Sequence, residues 1–279
     1  MPVRAYRWGL LFTISFAGNL QLMELPGAGA QQAATTEAVC QPGRVTSFEH
    51  ANRQLTLKCG AGTLIIKPYA DNIINVRYLP GPVRTALSPA PAGKASAEYK
   101  VESTLPAIRL MTAQLTASVN RSTAQISFLD AKHNLLVASR SYSLKAAPGL
   151  GEGVYSIHAE FAAPDEEAYY GLGQQPGSEQ DQRGQTVRLW RGGPAGSGEE
   201  TAAPFLVTNR NYGFLLDTSS RTTVTPGKDG MTAWDAEAGS ELSFFVIFGE
   251  TIEAINAGYQ SLAAMLAAAA PIMKSPDYR

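Results

Sequence analysis

Within the run YYGLGQQPGSEQDQRGQTVRLWR, Asp181, Arg183 and Trp190 place a carboxylate, a planar guanidinium fork and an indole ring close together in sequence. These types suit a polyhydroxylated ligand. Carboxylate and arginine can hydrogen-bond neighbouring sugar hydroxyls, while the aromatic face supports the ring, and Gln174 on the same stretch adds an amide. A solvent-facing ion pair worth about 0–1 kcal/mol fits the same residues, and spacing does not choose between the two. Other chemistries find less support. His50, His133 and His158 share no ligand spacing and read as ordinary surface or strand residues, and no catalytic residue is assigned. No G-x-S-x-G elbow, phosphate-binding loop or C-x-x-C pair is present. Gly171-Leu172-Gly173 lacks the third glycine of a dinucleotide fingerprint. Asp165, Glu166 and Glu167 read as solvated turn charges. No cofactor or metal is implied.

The elements around these residues read as β-strands. Residues 44–48, 54–58, 63–69 and 73–79 are rich in β-branched, apolar and aromatic types between Gly, Asn and Asp. After a proline-rich loop at 80–93, strand signals return near Tyr99 and continue at 115–119, 124–129, 135–138 and 154–161. Downstream, APFLVTNRNYGFLLDTSS holds two apolar runs split by Asn-Tyr-Gly, the pattern of a hairpin. Strands at this density, punctuated by turns, predict an all-β sandwich. The one helical pattern lies near the C-terminus, where Ile252, Ile255, Tyr259, Leu262 and Leu266 line one face. Thr251 is its expected N-cap. This apolar face is expected to be exposed and to promote self-association.

The chain has 279 residues, a formal net charge of −1 and only 17% charged residues. Without a basic excess to neutralise phosphates, nucleic acid is not an expected partner. Arg4 and Arg7, the apolar stretch at 8–20 and Ala28-Gly29-Ala30 compose a signal peptide over residues 1–30, cleaved near Ala30. The apolar stretch is short for a membrane span, so a periplasmic or secreted protein without stable membrane insertion is expected. A polar leader over 31–43 follows. Cys40 and Cys59 are the only cysteines, and an oxidising compartment would let them form a disulfide.

The segments YYGLGQQPGSEQDQRGQTVRLW, APFLVTNRNYGFLLDTSS and FFVIFGETIEAINAGYQSL together resemble the N-terminal β-domain of family 31 glycoside hydrolases, the α-xylosidase and α-glucosidase members above all. The resemblance rests on residues 170–173, Arg183-Gly184, Trp190, Pro204-Phe205, Tyr212-Gly213, residues 244–249 and Gly258-Tyr259, with looser similarity over 64–78. It implies a galactose-mutarotase-like β-supersandwich over 44–250, followed at 251–279 by a linker helix that leads toward a catalytic (β/α)8 barrel. Both catalytic aspartates of such enzymes lie on that barrel, which is expected to lie outside this chain. The resemblance implies a domain that supports the barrel and helps shape a pocket for α-linked oligosaccharide or glycoside, with the Asp181-Gln182-Arg183 turn as its contribution. Two other readings stay open: a free-standing aldose epimerase-like enzyme, and a structural remnant without sugar affinity.

Overall fold

A computed structural model describes residues 39–81, 97–173, 180–190 and 202–269. The signal-peptide region, residues 82–93 of the proline-rich loop and Gln174 lie outside them. Strands run in chain order as β1 (Val39–Cys40), β2 (Val45–Ala51), β3 (Gln54–Cys59), β4 (Gly62–Ala70), β5 (Ile73–Pro80) and β6 (Lys100–Ser103). Next come β7 (Ala107–Met111), β8 (Leu115–Asn120), β9 (Ile126–Asp130), β10 (Leu135–Ala146), β11 (Tyr155–Ala162) and β12 (Tyr169–Gly171). The last are β13 (Val187–Leu189), β14 (Phe205–Thr208), β15 (Tyr212–Leu216), β16 (Thr222–Lys228), β17 (Met231–Gly239) and β18 (Leu242–Phe248), before helix α1 (Ile252–Ala269).

These strands make two antiparallel sheets. One has eight strands in the order β12-β14-β15-β18-β5-β4-β3-β2; the other runs β13-β16-β17-β11-β10-β9-β8-β7-β6, with β1 also on β10. Alternation decides the packing: in β9 the pattern is buried at Ile126, Phe128 and Asp130 and half-buried between, the period-2 signature of a sheet with one face inward. Between the sheets sits an aromatic cluster. Phe214 stacks on Phe244 and on Trp234, each at 4.9 Å, and Phe161 meets Phe214 edge-on at 4.7 Å.

Strand β18 of the eight-stranded sheet is buried throughout, from Leu242 to Phe248. Its second face is covered by α1. Thr251 caps this helix, its Oγ1 accepting from Ala254 N at 3.2 Å and its carbonyl from Ile255 N at 3.1 Å. Ile255 and Leu262 are fully buried with Tyr69, Val207, Leu215, Phe245 and Ile247, and Tyr259 stacks on Phe205 at 4.2 Å. Two glycines permit the close approach. A Cβ at Gly258 would lie 2.6 Å from Ile247, and one at Gly213 would lie 2.6 Å from Ile255. The expectation of an exposed apolar helix face is therefore corrected: that face is packed on the sheet, and only Ile252 at its start is left 43% exposed. No helix of the described residues is long and apolar enough to cross a membrane.

The helix–sheet contact is directly testable. Leu262→Ala should lower unfolding free energy by about 2–5 kcal/mol, the usual cost of truncating a buried leucine. Gln260→Ala, on the exposed face, should change it by no more than about 0.5 kcal/mol. Urea unfolding midpoints of the two variants measure the contrast.

Candidate functional site

The turn carrying Asp181 and Arg183 is tied to the start of β12. Tyr169 N donates to Asp181 Oδ1 at 2.8 Å, and the same oxygen accepts from Arg183 N at 3.0 Å. Gln182 N donates to Tyr169 O at 2.8 Å. The Asp181 carboxylate thus closes an Asx-type turn while remaining on the surface.

Arg183 points the other way. Its Nη1 donates to the carbonyls of Pro164, at 2.9 Å, and Glu167, at 2.8 Å, and Nη2 lies 3.5 Å from the exposed Asp165 carboxylate. The guanidinium sits 6.0 Å from the Tyr169 ring centroid. Its stem and that ring need the absent side chain of Gly227, where a Cβ would meet Arg183 Cγ and Tyr169 Cε2 at 2.8 Å each. A planar cation with several donors can hold several carbonyls at once. In this structure Arg183 fastens the 163–167 loop beneath the turn.

Trp190 lies elsewhere. Gly184 N donates to Pro226 O near one end of β16, whereas Leu189 pairs with Thr222 at the other. The half-buried Trp190 ring carries the Arg221 guanidinium 4.2 Å from its centroid. Asp181 and Arg183 therefore share one turn, and Trp190 marks the far end of β13. The segments 174–179 and 191–201 that flank these positions lie outside the described residues. So does the side chain of Cys40, the expected bridge partner of the buried Cys59.

Beneath the turn is a polar group that the sequence did not announce. Glu167, read above as a solvated turn charge, is 1% exposed. The correction has a simple cause: Arg183 pulls the Glu167 carbonyl inward, and β15 supplies Tyr212 as a partner. Tyr212 Oη donates to Glu167 Oε1 at 2.6 Å. Tyr169 Oη is buried beside the Glu167 carboxylate, whose Oε2 is likewise buried. Burial pushes the Glu167 carboxyl above the ordinary carboxylate range, opposed by the Tyr212 hydrogen bond and the Arg210 and Arg183 charges. The same burial, with the neighbouring Glu167, drives the Tyr212 hydroxyl well up.

On the solvent face of the other sheet, His158 of β11 lies between two carboxylates. Its Nδ1 is 2.7 Å from Asp235 Oδ1 and its Nε2 3.4 Å from Glu160 Oε1. Ser141 Oγ donates to Glu160 Oε2 at 2.6 Å. The hydrogen bond to Asp235 raises the imidazole pKa despite partial burial. Among the described residues no group of three or more His, Cys, Asp or Glu is arranged to hold a metal.

The Glu167 environment yields a pH signature. A carboxyl raised in the native state binds its proton more tightly there than in the unfolded chain. Its ionisation therefore removes native stability as pH rises from the ordinary carboxylate range through the native pKa. Glu167→Gln keeps an acceptor for Tyr212 but cannot ionise. Urea midpoints should move in favour of the variant between about pH 4 and about pH 7; a parent–variant difference independent of pH would show that Glu167 is not held proton-rich.

Residues 63–224 match the family model described as the glycosyl hydrolase 31 N-terminal galactose mutarotase-like domain. An α-xylosidase of Saccharolobus solfataricus is 27% identical over 214 residues, which cover 74% of this chain and 29% of that protein. Among solved structures, a soil-metagenome GH31 α-xylosidase complexed with xylose superposes with a TM-score of 0.65 at 22% identity, over 77% of this chain and 34% of that one. The Flavobacterium johnsoniae GH31 dextranase complexed with isomaltotriose gives 0.64 at 16% identity, over 80% and 28%. The cycloalternan-forming enzyme of Listeria monocytogenes gives 0.67 at 20% identity, over 80% and 22%. The chain thus spans about 22–34% of the length of these proteins, and the structural likeness is one of fold. With its two antiparallel sheets, its C-terminal helix and this match across most of the sandwich, the chain belongs to the glycoside hydrolase 31 N-terminal galactose mutarotase-like domain family.

Proposed function

We propose that this chain is the non-catalytic N-terminal β-domain of an α-glycosidase, helping to bind α-linked carbohydrate and packing on a catalytic (β/α)8 barrel. The observation that carries the reading is the anchoring of the Asp181–Arg183 turn. Arg183 spends its fork on carbonyls of the 163–167 loop, and Asp181 caps the turn from above. Such an anchor holds an adjoining loop at a set height on a rigid sheet, which is how scaffolds present binding groups. In this reading Arg183 and Asp181 position the loop. Asp181's exposed carboxylate and Trp190's ring, at opposite ends of the 181–190 segment, contact a carbohydrate chain long enough to reach both. The relatives named above include an α-xylosidase and a dextranase, which supports an α-linked ligand. The basic, then apolar, then small-residue leader supports export.

The test is calorimetric titration of the full chain with isomaltotriose and with xylose, beside an assay on aryl α-glycosides. We expect weak binding that Trp190→Ala weakens at least about tenfold, roughly 1.4 kcal/mol, and no glycoside cleavage. Turnover of the aryl glycoside would overturn the non-catalytic reading. Absence of any sugar binding would leave a purely structural domain.

One observation favours a second reading. His158, flanked by Asp235 and Glu160 on an exposed sheet face, has the acid and base types that ring opening of an aldose requires. An epimerase-like activity predicts faster mutarotation of glucose or xylose in the presence of the chain, abolished by His158→Ala. A rate equal to that in buffer removes this reading.

A further inference from the structure

At the end of the eight-stranded sheet where β18 hands over to α1, four turns surround a cavity of about 520 Å³. Its polar lining comes from Asn72, Gln114, Asn134 and Asn211, one amide from each turn, together with Asp130, Lys132 and Glu250. We propose that this cavity is a second binding site, separate from the Asp181–Trp190 loop, for a neutral mono- or disaccharide.

The walls are built rather than incidental. Asn72 Nδ2 donates to Phe248 O at 2.9 Å, and Phe248 N returns a bond to Asn72 O at 2.8 Å. Gly249 N donates to Asn211 O at 3.1 Å, and Thr112 Oγ1 ties the Gln114 turn to Asp71 O. Asp130 holds the fourth turn: Oδ1 accepts from Lys132 N and Asn134 N, and Oδ2 from Asn134 Nδ2, all at 2.8 Å. Asn211 sits at φ 66°, a left-handed conformation that Asn tolerates and most residues do not.

The chemistry of the lining selects the ligand class. Each carboxamide offers a donor and an acceptor side by side, which complements the vicinal hydroxyls of a sugar, each able to do both. Charge is nearly cancelled locally. Lys132 lies 3.8 Å from Glu250, and both oxygens of Asp130, which also lines the cavity, are spent on N–H groups of its own loop, so an anion finds no excess of positive charge. Phe248 and the methyls of Ala131 and Ala254 supply the apolar side chains of the lining, which suit the C–H face of a sugar ring. The volume falls within the roughly 300–1,000 Å³ of small-ligand clefts.

The site is also remote from the loop assigned above. Phe248 pairs with Tyr212 at this end of the sheet, whereas Leu216 pairs with Phe244 toward the other, and Arg221 beneath Trp190 follows Leu216 in the chain. A ligand in the cavity would meet turns 72, 114, 134 and 211 and leave Trp190 untouched.

Protein-detected NMR of the full chain tests this. Methyl α-D-glucopyranoside and xylose should shift the side-chain amide resonances of Asn72, Gln114, Asn134 and Asn211 saturably, with a Kd on the order of millimolar. Gln114→Ala with Asn211→Gly, both on exposed turns and the second compatible with the left-handed backbone, should weaken that response at least about tenfold. Trp190→Ala should leave it unchanged. Sugar-dependent shifts at Trp190 but not at these amides would overturn this proposal and spare the loop reading. No shift at either place, or equal shifts with inorganic phosphate, would overturn it too.

Discussion

Burial of β18 on both faces is the constraint on which the rest of this structure depends. Phe244 joins the aromatic cluster between the sheets, 4.9 Å from Phe214 and 5.5 Å from Phe161. On the opposite face Phe245 meets Tyr69 edge-on at 5.3 Å, and Ile247 fills the groove left by Gly258. A strand apolar on both sides has no hydrophobic reason to prefer one register, since a one-residue slip exchanges one apolar face for another. Polar groups at its edges make the choice. Arg77 grips Glu241 through two hydrogen bonds at 2.9 and 2.6 Å, Ser243 Oγ donates to Asp217, and Asn75 and Asn72 donate to the carbonyls of Phe244 and Phe248. With β18 fixed, α1 and both neighbouring strands are fixed in turn.

The same division of labour governs the candidate site. Asp181 and Arg183 look alike as ligand-binding residues, yet the fold uses them differently. Arg183 works beneath the turn, donating to the backbone carbonyls of Pro164 and Glu167 and so tying the 163–167 loop to the turn. Asp181 spends one oxygen on the turn and keeps its carboxylate at the surface. Glu167, drawn inside by this anchoring, shares Tyr212 with the sandwich core and couples the turn to β15. The loop is therefore mounted on the β12–β15 side of the sandwich.

Much of this was legible from local pattern. Alternation and turn residues locate most strands of the first half, because a sheet with one wet face imposes period 2. Thr251 followed by the 255, 259, 262 spacing marks the helix and its capped start, because both are local consequences of backbone geometry. Strands β16 and β17 were less visible. Their run TTVTPGKDGMTAWDAEAG holds few large apolar residues and reaches its burial through Val224, Trp234 and Ala236 set against the opposite sheet.

By itself, then, the sequence determined the β class, the β14–β15 hairpin, the capped helix and the likeness to a glycosidase domain. Each depends on residues near one another in the chain. Only the tertiary structure decided that the helix face is covered, that Glu167 is buried, that Arg183 bonds carbonyls and that Trp190 lies on Arg221. It alone gathered Asn72, Gln114, Asn134 and Asn211 around one cavity. The partners in these contacts are separated by tens of residues, and strand register brings them together, so no local pattern could encode them.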